Sequence, residues 1–265
     1  MNRIFTILIL ALAAFAGCSK PDAYPLFEKK QFNSGGETLP YRIMYPEHYS
    51  PQKKYPVLLF LHGSSERGND NEAQLKNGGS LFSSDSVRHV FPVIVIFPQC
   101  ASDSTWNRIS SEPDKGSITG KKLDLSFRLT PTKPALLAKQ LLDSLVLSNV
   151  AEPQRIYVGG LSLGGFGALD MIERYPDFFA AAISICGGGD TTMVSGFSGK
   201  TAVWLFHGDA DKIVDVSNSR DYAAALQKKK ADVTYTEYHG VAHESWYRAF
   251  EEKDLLPWLL TKSKK

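Results

Sequence analysis

Hydrophobic residues recur along the chain in short continuous runs separated by longer amphipathic segments. The continuous runs occupy residues 55–63, 91–99, 155–160, 179–186 and 201–208. Runs of this length without polar alternation are typical of strands buried on both faces of a parallel sheet. Two further segments, 38–45 and 232–240, alternate apolar and polar residues as half-buried strands do. The pattern therefore predicts a sheet of about seven strands.

The segments between these strands carry apolar residues three and four positions apart, which predicts amphipathic helices. The predicted helices span 133–148, 163–176, 217–230 and 244–260, with a short helix near 80–90. Strands that alternate with helices form a mostly parallel sheet with helices on both faces. The fold class is therefore α/β, and the residues of interest are those at the carboxyl ends of the strands, where such sheets bind ligands.

The first 37 residues are predicted to lie outside the folded domain. Residues 1–17 combine a basic start with an apolar stretch that is shorter than the roughly 20 residues of a membrane-spanning helix, so they indicate a signal peptide. Cys18 follows Ala16 and Gly17 and resembles a bacterial lipobox cysteine. We expect residues 18–37 to be a tether, lipid-anchored to a membrane through Cys18. The protein would then lie in the cell envelope, on the periplasmic or outer-membrane face, with ordinary secretion as the alternative.

Residues 38–262 are predicted to form one domain. Within it, residues 101–131 are polar and interrupted by Pro113, Gly116 and Gly120. Loops of this length inside a compact domain are usually functional or disordered. We therefore expect an insertion at about 101–131 that forms a wall or cap over the carboxyl edge of the sheet.

The charge balance gives no support to a nucleic-acid partner. The 265 residues include 30 Lys and Arg against 28 Asp and Glu, a net charge of +2. The three cysteines, Cys18, Cys100 and Cys186, do not have zinc-site spacing, so no metal is expected. Cys100 and Cys186 follow apolar runs. Buried free thiols are the favoured interpretation, and a disulfide between them is the alternative.

One serine stands at a corner between a predicted strand and a predicted helix. Gly160-Leu161-Ser162-Leu163-Gly164 has the form G-x-S-x-G in the strand–turn–helix context that this motif requires. A nucleophile on such a turn adopts a strained backbone, and small neighbours are needed to relieve crowding. Gly160 and Gly164 meet that need, so Ser162 is a candidate nucleophile. The alternative is that the glycines only permit close packing.

A serine hydroxyl is a weak nucleophile and needs a base within hydrogen-bond reach. Histidines after Ser162 are His207, His239 and His243. His243 lies between the last strand and the last helix, where a loop can bring its imidazole over the serine, and we favour it. His239 ends the last strand and is the competitor. His207 ends its own strand, where a packing role or a rim position suits it better.

The base in turn needs a carboxylate that orients it. Asp209 and Asp211 follow the strand at 201–208, in the chain order Ser, Asp, His that is typical of α/β-hydrolases. Asp211 is far enough into the loop to turn back towards His243, and we favour it. Asp209 adjoins the strand, where it is expected to bond backbone amides of its own turn.

A negatively charged oxygen that develops during attack needs backbone N–H donors. Leu163 follows the candidate nucleophile and supplies one N–H group. Ser64 follows the strand at 55–63 and is our choice for the second, with Ser65 as the alternative. Nearby His62 is interpreted as structural.

Several segments together resemble a family of secreted bacterial α/β-hydrolases, the predicted peptidase or phospholipase/carboxylesterase-like group, which is related to dienelactone hydrolases, prolyl oligopeptidases and feruloyl or acetyl esterases. The segments that carry the resemblance are FLHGSSERGNDNEAQL (60–75), FPQC with Trp106, GGLSLGG (159–165), ICGGGD (185–190), HGDAD (207–211) and GVAHESW (240–246). The resemblance covers about residues 38–258. It implies an α/β-hydrolase fold with Ser162, Asp211 and His243 as catalytic residues, Leu163 and Ser64 as oxyanion donors, and no cofactor.

The substrate is less well defined by the sequence. Trp106 is a candidate for stacking on a sugar or phenolic ring, or it anchors the insertion. Arg67 is a candidate for binding an anionic group, or it forms an ion pair within its own loop. We expect a serine carboxylesterase acting on small-molecule or carbohydrate esters, including acyl and feruloyl esters. A prolyl-oligopeptidase-type peptidase and a non-catalytic hydrolase-like binding protein are the alternatives.

Overall fold

A computed structural model describes residues 22–196 and 200–264. The predicted signal peptide and Cys18 lie outside the described residues and remain predictions. Within the described part of the chain, no helix combines the length and the apolar character needed to cross a membrane.

The predicted strands and helices occur in the predicted order, together with three strands that the sequence pattern did not predict. The strands are β1 (Glu28–Ser34), β2 (Glu37–Met44), β3 (Tyr55–Leu61), β4 (Ile94–Pro98), β5 (Ser110–Pro113), β6 (Lys121–Asp124), β7 (Ala151–Leu161), β8 (Ala181–Ile185), β9 (Ala202–Gly208) and β10 (Val233–Tyr238). The helices are α1 (Gly79–Ser83), α2 (Asp85–Val90), α3 (Lys133–Leu147), α4 (Leu163–Arg174), α5 (Ser217–Lys228), α6 (Trp246–Phe250) and α7 (Leu255–Thr261).

Eight strands form one sheet in the order β1-β2-β4-β3-β7-β8-β9-β10. β2 is antiparallel to its neighbours β1 and β4, and the other neighbouring strands of this sheet are parallel. β5 and β6 form a separate antiparallel hairpin. The predicted mostly parallel α/β sheet is confirmed, and the loops after β3, β7, β9 and β10 meet at its carboxyl edge.

Successive side chains of each central strand pack alternately into two hydrophobic layers, one on each face of the sheet. In β3, Val57 and Leu59 pack with α3, α4 and α5 on one face of the sheet. Leu58 and Phe60 pack on the other face with side chains of α1, α6 and α7. Successive side chains of a strand point to opposite faces, so a strand between two helical layers must be apolar throughout. This explains the continuous apolar runs of the sequence.

The predicted tether boundary at residue 37 is wrong. Residues 28–34 form edge strand β1, with Glu28 opposite Ile43 and Ser34 opposite Glu37. Most side chains of β1 are exposed. An edge strand with little buried surface has no hydrophobic pattern to reveal it, so the folded domain begins earlier than residue 38.

Two other predicted elements are subdivided. The predicted helix at 244–260 is two helices, α6 and α7, because Pro257 lies in the first turn of α7. Proline lacks an N–H donor, which a first turn tolerates and a helix interior does not. The predicted helix near 80–90 is likewise split into α1 and α2. The polar insertion at 101–131 contains the β5–β6 hairpin.

Candidate active site

Ser162 occupies the corner between β7 and α4. Its φ of 51° and ψ of −119° lie in a region that residues with a Cβ rarely adopt. Ser162 N–H donates to Ile185 O at 2.8 Å, and Phe166 N–H donates to Ser162 O at 3.1 Å. These bonds fix the corner from both sides, and the side chain stays partly exposed.

The glycines around Ser162 allow three backbone segments to approach closely. A Cβ at Gly164 would lie 1.9 Å from Leu61 O, and one at Gly160 would lie 2.2 Å from Gly164 O. Both distances are far inside van der Waals contact with rigid backbone. The sequence interpretation that these positions need glycine is confirmed, and the close approach is what holds the corner against β3.

Three side chains from different loops form a continuous hydrogen-bonded chain. His243 Nε2 lies 2.9 Å from Ser162 Oγ. His243 Nδ1 lies 2.7 Å from Asp211 Oδ2. A carboxylate only accepts, so Nδ1 carries the proton and Nε2 is free to accept the serine proton. The structure thus brings together the three residues singled out by the sequence, in the tautomer that suits a general base.

Asp211 is fully buried in the loop after β9, three residues beyond the strand. Burial opposes its ionisation, but hydrogen bonds from His207, His243 and the backbone outweigh this effect and hold the pKa of the Asp211 carboxyl well below its ordinary value. The backbone donors are Ile213 N–H at 2.8 Å and Val214 N–H at 3.0 Å, both to Oδ1. The acid is therefore a carboxylate across the neutral pH range.

The competing histidine and aspartate pair with each other instead. His239 Nδ1 lies 2.7 Å from Asp209 Oδ2, and the His239 side chain is 99% exposed. Asp209 Oδ1 accepts from Gly240 N–H at 2.6 Å, so Asp209 binds the loop after β10 rather than amides of its own turn. This exposed pair makes no hydrogen bond to Ser162.

The loop after β3 carries the candidate oxyanion donors. Ser64 and Ser65 are exposed and begin a single 3₁₀ turn that ends at Glu66. Leu163 is the first residue of α4, where N–H groups have no intrahelical acceptor. Both loops follow neighbouring strands, β3 and β7, so the predicted donors lie at the same edge of the sheet.

His62 holds the loop after β3 in place. Its Nδ1 lies 2.6 Å from Gly63 O, and its Nε2 accepts from Cys100 N–H at 2.9 Å. Burial lowers the pKa of His62 to about 4, so the ring is neutral at pH 7 with its proton on Nδ1. The interpretation of His62 as structural agrees with these contacts.

Trp106 is fully buried, so the structure contradicts its predicted role in substrate binding. Its indole N–H donates to His62 O at 3.0 Å, and its carbonyl accepts from Thr132 Oγ1–H at 2.9 Å. A side chain with no exposed surface cannot stack on a ligand. Trp106 is the anchor of the insertion, the alternative that the sequence left open.

Arg67 bonds backbone carbonyls rather than acidic side chains. Its Nε donates to Ser64 O at 3.0 Å, and its Nη1 donates to Ser104 O at 3.2 Å. Arg67 thus links the loop after β3 to the start of the insertion. Its predicted ion pair is absent from the described residues, and its contact with a substrate stays a prediction.

Cys100 and Cys186 are both buried free thiols. Burial raises the pKa of Cys100 to about 11 and raises the pKa of Cys186 further. Thiols with such pKa values are protonated and poorly reactive at neutral pH. The favoured interpretation of free thiols is confirmed.

A cleft of about 380 Å³ opens beside His243. Its walls come from the loop after β3, the turn before α1, the loop after β9 and the start of α6. Ile213 and Tyr247 line this cleft and are 57% and 56% exposed. The cleft therefore offers apolar and aromatic surface next to the candidate base.

One residue of the site was missed by the sequence interpretation. His207, expected to pack or to lie at a rim, is fully buried and lies 3.2 Å from Asp211 Oδ2 through its Nε2. The four-residue spacing of His207 and Asp211 in HGDAD was visible in the sequence. What the sequence does not reveal is that the chain after β9 turns back over the strand end.

A mostly parallel sheet with its serine at a strand–helix corner, followed along the chain by the aspartate and the histidine, defines the α/β-hydrolase class. The sequence matches the Esterase family, described as "Putative esterase", over residues 33–232. The chain belongs to that family, and the resemblance to an α/β-hydrolase esterase group is confirmed.

Among the proteins similar to this chain are one named a depolymerase and two named esterases. Poly(3-hydroxyalkanoate) depolymerase C of Paucimonas lemoignei is 30% identical over 206 residues, which cover 70% of this chain and 45% of that protein. The chain therefore spans less than half the length of that relative. A thermostable esterase crystal structure has a TM-score of 0.79 and 33% identity over 91% of this chain and 64% of its own. A ferulic acid esterase, at 17% identity and a TM-score of 0.65, shares the fold over 88% of this chain and 97% of its own.

Proposed function

We propose that the protein hydrolyses carboxylic esters through an acyl-enzyme formed on Ser162. The observation that carries the proposal is the chain Ser162 Oγ–His243 Nε2 at 2.9 Å and His243 Nδ1–Asp211 Oδ2 at 2.7 Å. This is the arrangement that activates a serine hydroxyl for acyl transfer. Membership of the Esterase family supports the same reaction class.

In the first half-reaction, Ser162 Oγ attacks the ester carbonyl and transfers its proton to His243 Nε2. The buried Asp211 carboxylate stabilises the resulting imidazolium without taking its proton. His243 then gives the proton to the departing alkoxide, and the alcohol leaves. In the second half-reaction, His243 deprotonates a water that attacks the acyl-enzyme, which releases the acid and restores Ser162.

The negative charge on the carbonyl oxygen requires two donors. Leu163 N–H and Ser64 N–H are proposed for this role because they belong to the loops after the neighbouring strands β7 and β3. Preorganised backbone donors of this type typically contribute about 2.7–4 kcal/mol each to the stability of the transition state.

We propose small acyl and aryl esters as substrates, including feruloyl or acyl esters of carbohydrates. The exposed Tyr247 ring and the apolar Ile213 side chain at the cleft support an aryl or acyl group next to His243. The polyester named in the depolymerase relative is a further candidate of the same bond type.

A fluorophosphonate probe and a substrate panel test the proposal. We expect a covalent adduct on Ser162 and turnover of p-nitrophenyl acetate and methyl ferulate. Acetylated xylan and a poly(3-hydroxybutyrate) suspension then distinguish carbohydrate esters from polyesters. Turnover of an aminoacyl-proline amide alone would replace the esterase by a peptidase, and a folded protein with neither adduct nor turnover would support a binding protein.

We further propose that the domain is exported and held at a membrane by lipid on Cys18. The basic start, the short apolar stretch and the small residues before Cys18 support this. Labelling with an alkyne fatty acid in a bacterial host tests it, and Cys18→Ser is the matched control. Equal labelling of both chains, or none of either, would exclude the anchor.

A further inference from the structure

His207, near the end of β9, has no step in the proposed mechanism although it contacts the acid. Its Nε2 lies 3.2 Å from Asp211 Oδ2 and 3.1 Å from Val214 O. Both partners only accept hydrogen bonds, so Nε2 carries a proton. The oxygen that His207 Nε2 contacts, Asp211 Oδ2, also accepts a hydrogen bond from His243 Nδ1. Two imidazoles therefore share a single carboxylate oxygen.

The other ring nitrogen of His207, Nδ1, faces the Ser219 hydroxyl oxygen. Nδ1 lies 2.7 Å from Ser219 Oγ, and Ser219 Oγ lies 2.8 Å from Gly187 O. Ser219 has a single hydroxyl proton, and Gly187 O, which only accepts, is satisfied by Ser219 when that proton is donated to it. Ser219 Oγ is then left to accept from Nδ1. The arrangement that satisfies every one of these buried groups has protons on both nitrogens of His207.

Charges around His207 are consistent with a cation at this place. Asp211 is as fully buried as His207 and neutralises it. Glu237 lies opposite His207 in β10, but its carboxylate is paired with Arg220 at 2.7 Å. Burial raises the pKa of the Cys186 thiol in the neighbouring loop, so that group stays neutral. Asp211 is thus the carboxylate left to balance His207.

We propose that His207 is held doubly protonated and is a positioning residue for the acid of the triad. It fixes the Asp211 carboxylate so that Oδ2 faces His243. Its positive charge also disfavours protonation of His243, which keeps the base available at lower pH. The kinetic part of this inference rests on the proposed function, because it assigns Asp211 and His243 to catalysis, whereas the protonation state of His207 does not.

Nitrogen-15 NMR of the intact protein tests the protonation state directly. We expect both ring nitrogens of His207 to carry protons from pH 5.5 to pH 8.5, with their signals identified by their absence in His207→Gln. A nitrogen of His207 without a proton at pH 7 would overturn the charged form. This measurement needs no turnover, so it stands apart from the outcome of the esterase test.

The pH dependence of kcat/KM for p-nitrophenyl acetate tests the kinetic role. His207→Gln keeps an N–H donor but loses the charge, so we expect the acid limb to move up by about one pH unit. Its plateau kcat should fall less than about tenfold. His207→Leu loses donor and charge and leaves Asp211 without one of its buried donors, so its plateau kcat should fall further than that of His207→Gln. An acid limb that stays in place in both variants would reduce His207 to a packing residue.

His239→Gln is the matched control. It removes an imidazole from a His–Asp pair of the same type, which is exposed and makes no hydrogen bond to Ser162. We expect its acid limb to stay at the wild-type pH, and a shift equal to that of His207→Gln would contradict the specific role. Fluorophosphonate titration corrects each rate for the fraction of folded sites. If His207→Leu does not fold, His207→Gln and the NMR measurement decide.

Discussion

Replacing Ser162 by alanine is expected to lower kcat/KM for p-nitrophenyl acetate by about 10⁵- to 10⁶-fold, the range seen when one member of a cooperating triad is removed. The reason is that Ser162 Oγ is the atom that His243 Nε2 contacts, and without it no acyl-enzyme can form. Steady-state rates and intact-protein mass after fluorophosphonate treatment measure the effect. Residual activity above a hundredth of the wild-type rate would show that another nucleophile acts.

The double variant Ser162→Ala, His243→Ala sharpens this test. If the two side chains act as one unit, the second substitution costs almost nothing after the first. Additive losses would instead mean that His243 contributes through a separate step. Unchanged thermal unfolding of the single variant shows that lost activity does not arise from lost structure.

Replacing Gly164 by alanine is expected to prevent soluble expression or to lower the free energy of unfolding by about 3 kcal/mol or more, at or beyond the usual range for overpacking. The new methyl group would lie 1.9 Å from Leu61 O and 2.8 Å from His62 O. These are backbone atoms of β3 and the loop after it, so no side-chain rotation relieves the clash. Urea unfolding followed by tryptophan fluorescence measures the change.

Gly196→Ala is the matched control for that substitution, because no atom of the described residues lies within 4 Å of a Cβ placed there. Its unfolding free energy should stay within about 0.5 kcal/mol of the wild-type value. A Gly164→Ala protein with wild-type stability and activity would mean that the contact between the start of α4 and β3 is loose.

Much of this fold could be predicted because its central strands are covered on both faces. Burial on two sides forces continuous apolar sequence, as in Tyr55–Leu61, and such a run is easily recognised. β1 escaped recognition because it lies at the edge of the sheet and exposes most of its side chains. Its position depends on backbone pairing with β2, for which no residue type is required.

The residues of the candidate site likewise differ in whether local sequence or distant segments determine their positions. Ser162 could be recognised from local constraints, since its glycines are required by contacts within a few residues. The choice of His243 over His239 rested on its position in the loop between the last strand and the last helix, and the contact of His243 with Ser162 agrees with that choice. The burial of Trp106 and the contact of His207 with Asp211 could not be predicted, because both depend on how distant segments fold over the strand ends. Burial of that kind has no local sequence pattern.

Asp211 and His243 come from the loops after the last two strands to join the sheet, and His243 lies 81 residues beyond Ser162. During synthesis on the ribosome, the growing chain therefore contains Ser162 before it contains His243. Hydrolytic competence arises only after β10 has been added and the sheet is complete. Under the proposed chemistry, a nascent or truncated chain is inert, and enzymatic turnover reports that the carboxyl-terminal part of the domain has folded.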